Sequence, residues 1–259
     1  LSNIFGPDAA TKLQEVISSA TAKHKVTTSE ISFDIKGEQH VFFSTCMQVA
    51  YEFKGKDSLL LTLNDVTLLQ EAQTRRDRLM KQIVYSLMRA IDLHDPYSAN
   101  HSAKTAKVAT AVGRAMGLST EQLTTIEIAA NLCNLGKLSL PKELLLKTGD
   151  LTREEQNVLK GETASAAEIL AGIDFEGPVL ETITQKHEYL DGSGYPKGLS
   201  GDEIIPAARI LAASNAFVAM TSPRAYRDRL SDKDAMTQLL NAADSKYDRH
   251  VIAALFHVV

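Results

Sequence analysis

The spacing of hydrophobic positions changes character twice along the 259-residue chain. Leu13, Val16, Ile17 and Ala20 recur at helical intervals behind Asp8, a candidate cap, and predict a helix over 7–23. After Lys25 the period drops to two. Ile31, Phe33 and Ile35 alternate with polar residues, and Lys36-Gly37-Glu38 marks a turn. Val41 to Phe53 is rich in β-branched and aromatic residues and predicts a second strand. Lys54-Gly55-Lys56-Asp57 is the next turn, and Leu59 to Val66 a third strand. The helix is therefore followed by a three-stranded antiparallel meander. From Thr67 to Leu93 the period is helical again. Leu69, Ala72, Arg76, Leu79, Ile83 and Leu87 approximate a 3-4 repeat with Arg76 on its seam. Such a stripe suits a helix that pairs with its copy in a homodimer, or one that packs on its own domain.

From Ala99 onward helices follow one another with short loops. They are predicted over 99–116, from Ser119 or Thr120 to Leu135, from Pro141, from Thr152, over 164–171, 178–187, 206–220, 231–243 and 250–259. Thr152 with Glu155 three residues later is a capping-box start. The fold class is mainly α: a helical domain at 94–259, behind a small α/β module at 1–66 and a linker helix at 67–93.

Composition narrows the function classes little. A hydrophobic content of 44% and a charged content of 23% are those of a soluble globular protein. The net charge of -4 gives no reason to expect nucleic acid or an anionic membrane. No apolar run is long enough to span a bilayer, so a cytoplasmic protein is expected. The chain starts at Leu1 without a Met, which leaves an upstream signal or membrane segment open. Cys46 and Cys133 have no partner motif, which fits a reducing compartment.

The stretch ITQKHEYLDGSGYPKGLSG, residues 183–201, stands out from the helices around it. Its glycines and Pro196 specify a backbone path, and His187, Glu188, Asp191 and Tyr195 stand beside or inside it. Polar, titratable residues at a shaped loop mark a candidate site, and a helix C-cap with a tight connection is the plainer alternative.

Two resemblances follow from quoted residues. Residues 1–70, ending in LLLTLNDVTLLQEAQ, resemble the C-terminal half of a PAS sensor domain, without the strands that normally come first. His24 and His40 would be its candidate cofactor ligands, with a solvated side chain as the plainer reading of each. Residues 90–230 are identified as a member of the HD-GYP family, bacterial HD-type metal-dependent phosphohydrolases that cleave cyclic di-GMP. The matching text is DPYSANHS at 95–102, LGKLSLPKELLLKTGDLTREE at 135–155 and KHEYLDGSGYPKGLSGDEIIPAARILAASNAFVAMTSPRAY at 186–226.

The resemblance implies a cluster of His and Asp around two or three metal ions, which bind phosphate and activate water. Residue by residue, His101 matches the first histidine, and Cys133-Asn134 stand at the His-Asp pair. Lys137 matches the lysine that meets the phosphate. Glu162, Lys186 and Asn215 stand at further His, His and Asp positions, and His187 is a match. Neutral amides at Asn134 and Asn215 and an ammonium at Lys186 oppose metal binding, and Glu162 is a candidate ion-pair partner for Lys186. The expectation is therefore no metal and no catalytic residue, with His101, Glu162 and His187 as residual ligand candidates. The alternative is an active phosphodiesterase with a rebuilt site of one or two Fe, Mn or Zn ions, in which a Cys133 thiolate would suit zinc. Asp191, Gly192, Gly194, Tyr195 and Pro196 match the loop signature unchanged. That loop implies a GGDEF-domain protein as a candidate partner. Cyclic di-GMP is the candidate ligand, with Lys137, Lys186, Arg209, Arg224 and Tyr195 facing it; Arg209 and Arg224 are alternatively ties between helix and loop.

Overall fold

The computed structural model describes residues 6–23, 26–35, 37–53, 56–95, 100–223 and 228–259. Arg224, His24 and the residues at 96–99 of the DPYSANHS stretch lie outside them. The described chain forms two compact units that divide between Lys81 and Gln82.

In the first unit α1 (Pro7–Lys23) covers one face of an antiparallel sheet of order β1 (Thr27–Ile35), β2 (Glu38–Phe53), β3 (Lys56–Asp65). The register pairs Ile31 with Phe42 and Cys46 with Leu61, so the period-two positions share the face turned to the helix. Ala9, Leu13, Val16 and Ala20 meet Ile31, Phe33, Phe42 and Cys46 in a small core, where the rings of Phe33 and Phe42 stack 4.8 Å apart. His40 lies on β2, and its Nδ1 donates to Asp65 Oδ2 at 2.8 Å. Asp65 also accepts from the backbone N–H and hydroxyl of Thr67, which fixes the start of the next helix.

That helix, α2, runs from Thr67 to His94. Its side chains at 71–80 are all exposed, and so are Leu69 and Ile83. The seam read from the 3-4 repeat is therefore uncovered along most of its length, whereas Val84 and Ile91 are buried in the second unit.

The second unit is a helical bundle. Its elements are α3 (His101–Ala115), α4 (Thr120–Leu132), a 3-10 turn at Leu135–Ser139, α5 (Lys142–Leu145), α6 (Arg153–Lys160), α7 (Glu162–Ile169), α8 (Val179–Thr184), α9 (Pro206–Thr221), α10 (Asp232–Asn241) and α11 (Arg249–Val258). Alanines 106, 109, 129, 130, 208 and 213 are buried, so α3, α4 and α9 approach closely around Ile126, Leu135, Ile210 and Leu211. Capping follows the sequence. Thr152 and Glu155 form the expected box, and Ser119 caps α4, with Gln122 as the reciprocal partner.

One predicted helix is shorter than its pattern. Hydrophobic spacing carried it from 178 to 187, but α8 stops at Thr184 and the chain turns through 185–187. The turn sends the Lys186 side chain inward and lets Gln185 Oε1 accept from the N–H of Ile205 at 2.9 Å. No helix among the described residues is long and apolar enough to cross a membrane.

Candidate functional site

The site begins where α4 ends. Cys133 is the C-cap of α4, buried with its neighbours Leu132, Asn134 and Leu135. The Gly136 backbone then passes directly over α7: a Cβ there would lie 1.7 Å from the carbonyl oxygen of Glu162. This contact brings the C-terminal end of α4 and the first residue of α7 together.

Lys186 enters the space between them. Its Nζ lies 2.9 Å from Glu162 Oε1 and donates to the Cys133 carbonyl, with only 1% of the side chain exposed. Glu162 Oε1 also accepts from His187 Nε2 at 2.9 Å. Burial alone would push the Glu162 carboxyl up, but the Lys186 ammonium, the His187 hydrogen bond and Lys137 hold it well below the usual carboxylate range. Burial works to lower Lys186, yet the Glu162 carboxylate raises it above its ordinary value. The pair is thus charged on both sides. Burial lowers His187, and the nearby Lys186 works in the same direction against the pull of Glu162, so its imidazole is the neutral, Nε2–H form at pH 7. Burial pushes the Cys133 thiol up, which keeps it protonated.

The other residues at ligand positions have partners of their own. His101 Nε2 donates to Asn215 Oδ1 at 2.9 Å, which joins α3 to α9. Asn134 Nδ2 donates to the Ser102 hydroxyl at 3.3 Å. Lys137 Nζ reaches Asp95 Oδ2 at 3.0 Å, with side chains 15% and 4% exposed.

This donor set does not fit the metal cluster that the resemblance implies. Asn134 and Asn215 contribute amides already engaged, the best carboxylate carries an ammonium, and the cysteine is a thiol. His101, Cys133, Glu162 and His187 do not gather as one cation site, and among the described residues no three His, Cys, Asp or Glu side chains do.

The loop beside this floor is tied from within. Glu188, 2% exposed, accepts from the N–H groups of Lys197 at 2.7 Å and Leu199 at 3.0 Å. Asp191 Oδ1 accepts from the N–H and hydroxyl of Ser193, and Asp191 bridges to Ser200. At Gly194 a Cβ would meet the backbone of His187, Glu188 and Tyr189 at 2.5 Å, so only glycine fits. Gly192 and Pro196 lie on the same turn, with Pro196 exposed. Tyr195 stacks on His187 at a centroid distance of 4.8 Å, and Lys160 Nζ stands 5.3 Å from the Tyr195 ring. Arg209 donates to the carbonyls of Ile204 and Gly201 and to Asp202 and Asp248.

Two expected ligand-facing cations therefore point elsewhere in this structure. Lys186 faces Glu162, and Arg209 is a tie between α9 and the loop. Three participants carried no signal in the sequence alone. The Cys133 carbonyl is a backbone atom, Ser102 is one of many serines, and Asp95 is 42 residues from Lys137.

A family model described as "HD domain" matches residues 85–251. The cyclic di-GMP phosphodiesterase response regulator RpfG of Xanthomonas campestris is 33% identical over 177 residues, which is 68% of this chain and 47% of that protein. A probable cyclic di-GMP phosphodiesterase of Vibrio cholerae is 28% identical over 259 residues, covering 90% of this chain and 59% of that protein. The chain thus spans about half the length of the curated relatives it matches. Bd1817, an HDG"Y"P protein of Bdellovibrio bacteriovorus, shares the fold with a TM-score of 0.52 at 19% identity, over 61% of this chain and 51% of that one.

Proposed function

The chain belongs to the HD domain family, and on that premise we propose that it serves cyclic-dinucleotide signalling by recognition instead of hydrolysis. One observation carries the reading: the buried Lys186 ammonium, held by Glu162 and the Cys133 carbonyl, stands among the residues that would have to hold metal. A fixed positive charge there repels a metal cation and leaves no carboxylate to bridge two of them. The loop at 183–201, by contrast, keeps its signature residues and is braced by Glu188 and Arg209. A braced, exposed loop is the part of this site suited to meeting a partner.

In this reading the ligand is a cyclic dinucleotide such as cyclic di-GMP, met by Lys137 and Arg224, or the partner is a GGDEF-domain protein at the loop. The α/β unit before α2 acts as a PAS-like sensor. The uncovered stripe of Leu69, Ala72, Leu79 and Ile83 on α2 supports pairing with a second copy.

The test is incubation of purified protein with cyclic di-GMP and with cyclic GMP-AMP, each with added Mn²⁺ or Fe²⁺, followed by chromatography for linear products. No product is expected with either. Metal-dependent turnover would overturn the proposal. Calorimetry with the same two compounds then separates a nucleotide receptor, which gives binding heat, from a protein-docking module, which gives none.

A further inference from the structure

We propose that the Glu162 carboxylate and the Cys133 carbonyl form a cation-binding cradle that the protein fills with its own Lys186 ammonium. The inference rests on the same reading of the site as the proposed function, but concerns binding and stability instead of turnover.

Three features define the cradle. Glu162 is buried, and its Oε1 is held in place by His187 Nε2 at 2.9 Å. Cys133 closes α4, so its carbonyl is one of the orphan acceptors at a helix C-terminus, where the helix dipole favours positive charge. The Gly136 backbone lies so close over Glu162 that the two acceptors cannot easily separate. The Lys186 ammonium meets both acceptors with 1% of its side chain exposed. The charge in this cradle belongs to a compact ammonium on an aliphatic stem, so the class of ligand it accepts is a primary alkylammonium ion.

Lys186→Ala removes the stem beyond Cβ and leaves space shaped like n-propylammonium. The variant is expected to melt well below the wild type, and millimolar n-propylammonium chloride is expected to restore part of that loss in a dose-dependent way. Neither n-propanol, which has the same shape without the charge, nor sodium chloride at equal ionic strength should do so. The double variant Lys186→Ala/Glu162→Gln should not respond to the amine. A Lys186→Ala protein as stable as the wild type would overturn the cradle. So would equal rescue by n-propanol, no rescue by the amine, or equal rescue of the double variant. If Lys186→Ala does not fold, Lys186→Met/Glu162→Gln is compared with Glu162→Gln alone. The double variant should be the more stable, since it leaves no buried ammonium without a partner, and the reverse order would overturn the proposal. Turnover by the wild type would sink the proposed function and leave this rescue pattern untouched, while failed rescue would leave the turnover assay as it stands.

Discussion

Glu188→Ala isolates what holds the loop at 183–201 in shape. The Glu188 carboxylate is buried and accepts from two backbone N–H groups, Lys197 at 2.7 Å and Leu199 at 3.0 Å. Hydrogen bonds to a charged group contribute about 1.5–3 kcal/mol each. Lys197 is exposed and Leu199 half-buried, so after truncation water takes over part of that role. The net loss is then about 2–4 kcal/mol for the pair. In a unit of this size 1 kcal/mol moves Tm by about 2–4 °C, so a fall on the order of 10 °C is expected. Hydrogen exchange reads the same change locally. A loss of about 2 kcal/mol corresponds to roughly 30-fold faster exchange through local opening at the amides of Lys197, Leu199 and their neighbours. Unchanged exchange at those two amides would refute the view that this carboxylate braces the loop.

Three other perturbations follow. Gly194→Ala places a methyl group 2.5 Å from the backbone of the preceding turn, and overpacking of this kind costs about 1–3 kcal/mol; a variant with unaltered Tm and loop exchange would contradict the close approach. Glu162→Gln leaves Lys186 buried without its partner, a loss of about 3–5 kcal/mol. The depressed Glu162 carboxyl contributes stability that is complete above the ordinary value of about 4.3 and is lost as pH falls through its folded value. In Glu162→Gln that acid limb should vanish from a Tm–pH profile, and Tm should climb toward high pH as Lys186 sheds its proton; profiles parallel to the wild type would refute the pairing. Leu69→Asp/Leu79→Asp on the exposed stripe of α2 should halve the mass seen by sedimentation if two copies pair there, and a wild type that is monomeric at all concentrations would remove that part of the proposal.

The fold was legible in the sequence wherever a period was clean. Ile31, Phe33 and Ile35 gave the sheet its inner face, and Thr152 with Glu155 marked a helix start that the structure reproduces. The helix predicted to reach His187 failed for a physical reason. Periodicity sees only apolar spacing, whereas the turn after Thr184 is decided by where the Lys186 and Gln185 side chains find partners. At the site, the Lys186–Glu162 contact was readable because two unlike charges stood where the family pattern has two ligands. The Cys133 carbonyl and the Asp95–Lys137 pair were not, and the tie made by Arg209 was readable only as one of two alternatives. Each depends on a backbone atom or on elements that meet only after folding.

The pairing of Lys137 with Asp95 and of Lys186 with Glu162 also bears on how fast anything arrives. Two ammonium groups are answered by two carboxylates at contact distance, so these four side chains project almost no net field into the solvent. These two pairs therefore give a doubly anionic visitor no long-range attraction of their own. Association that relied on them alone would run at about 10⁵–10⁶ M⁻¹s⁻¹ and change little with ionic strength. If the proposed cyclic dinucleotide binds here, its local concentration and not long-range attraction by these two pairs sets how often it arrives.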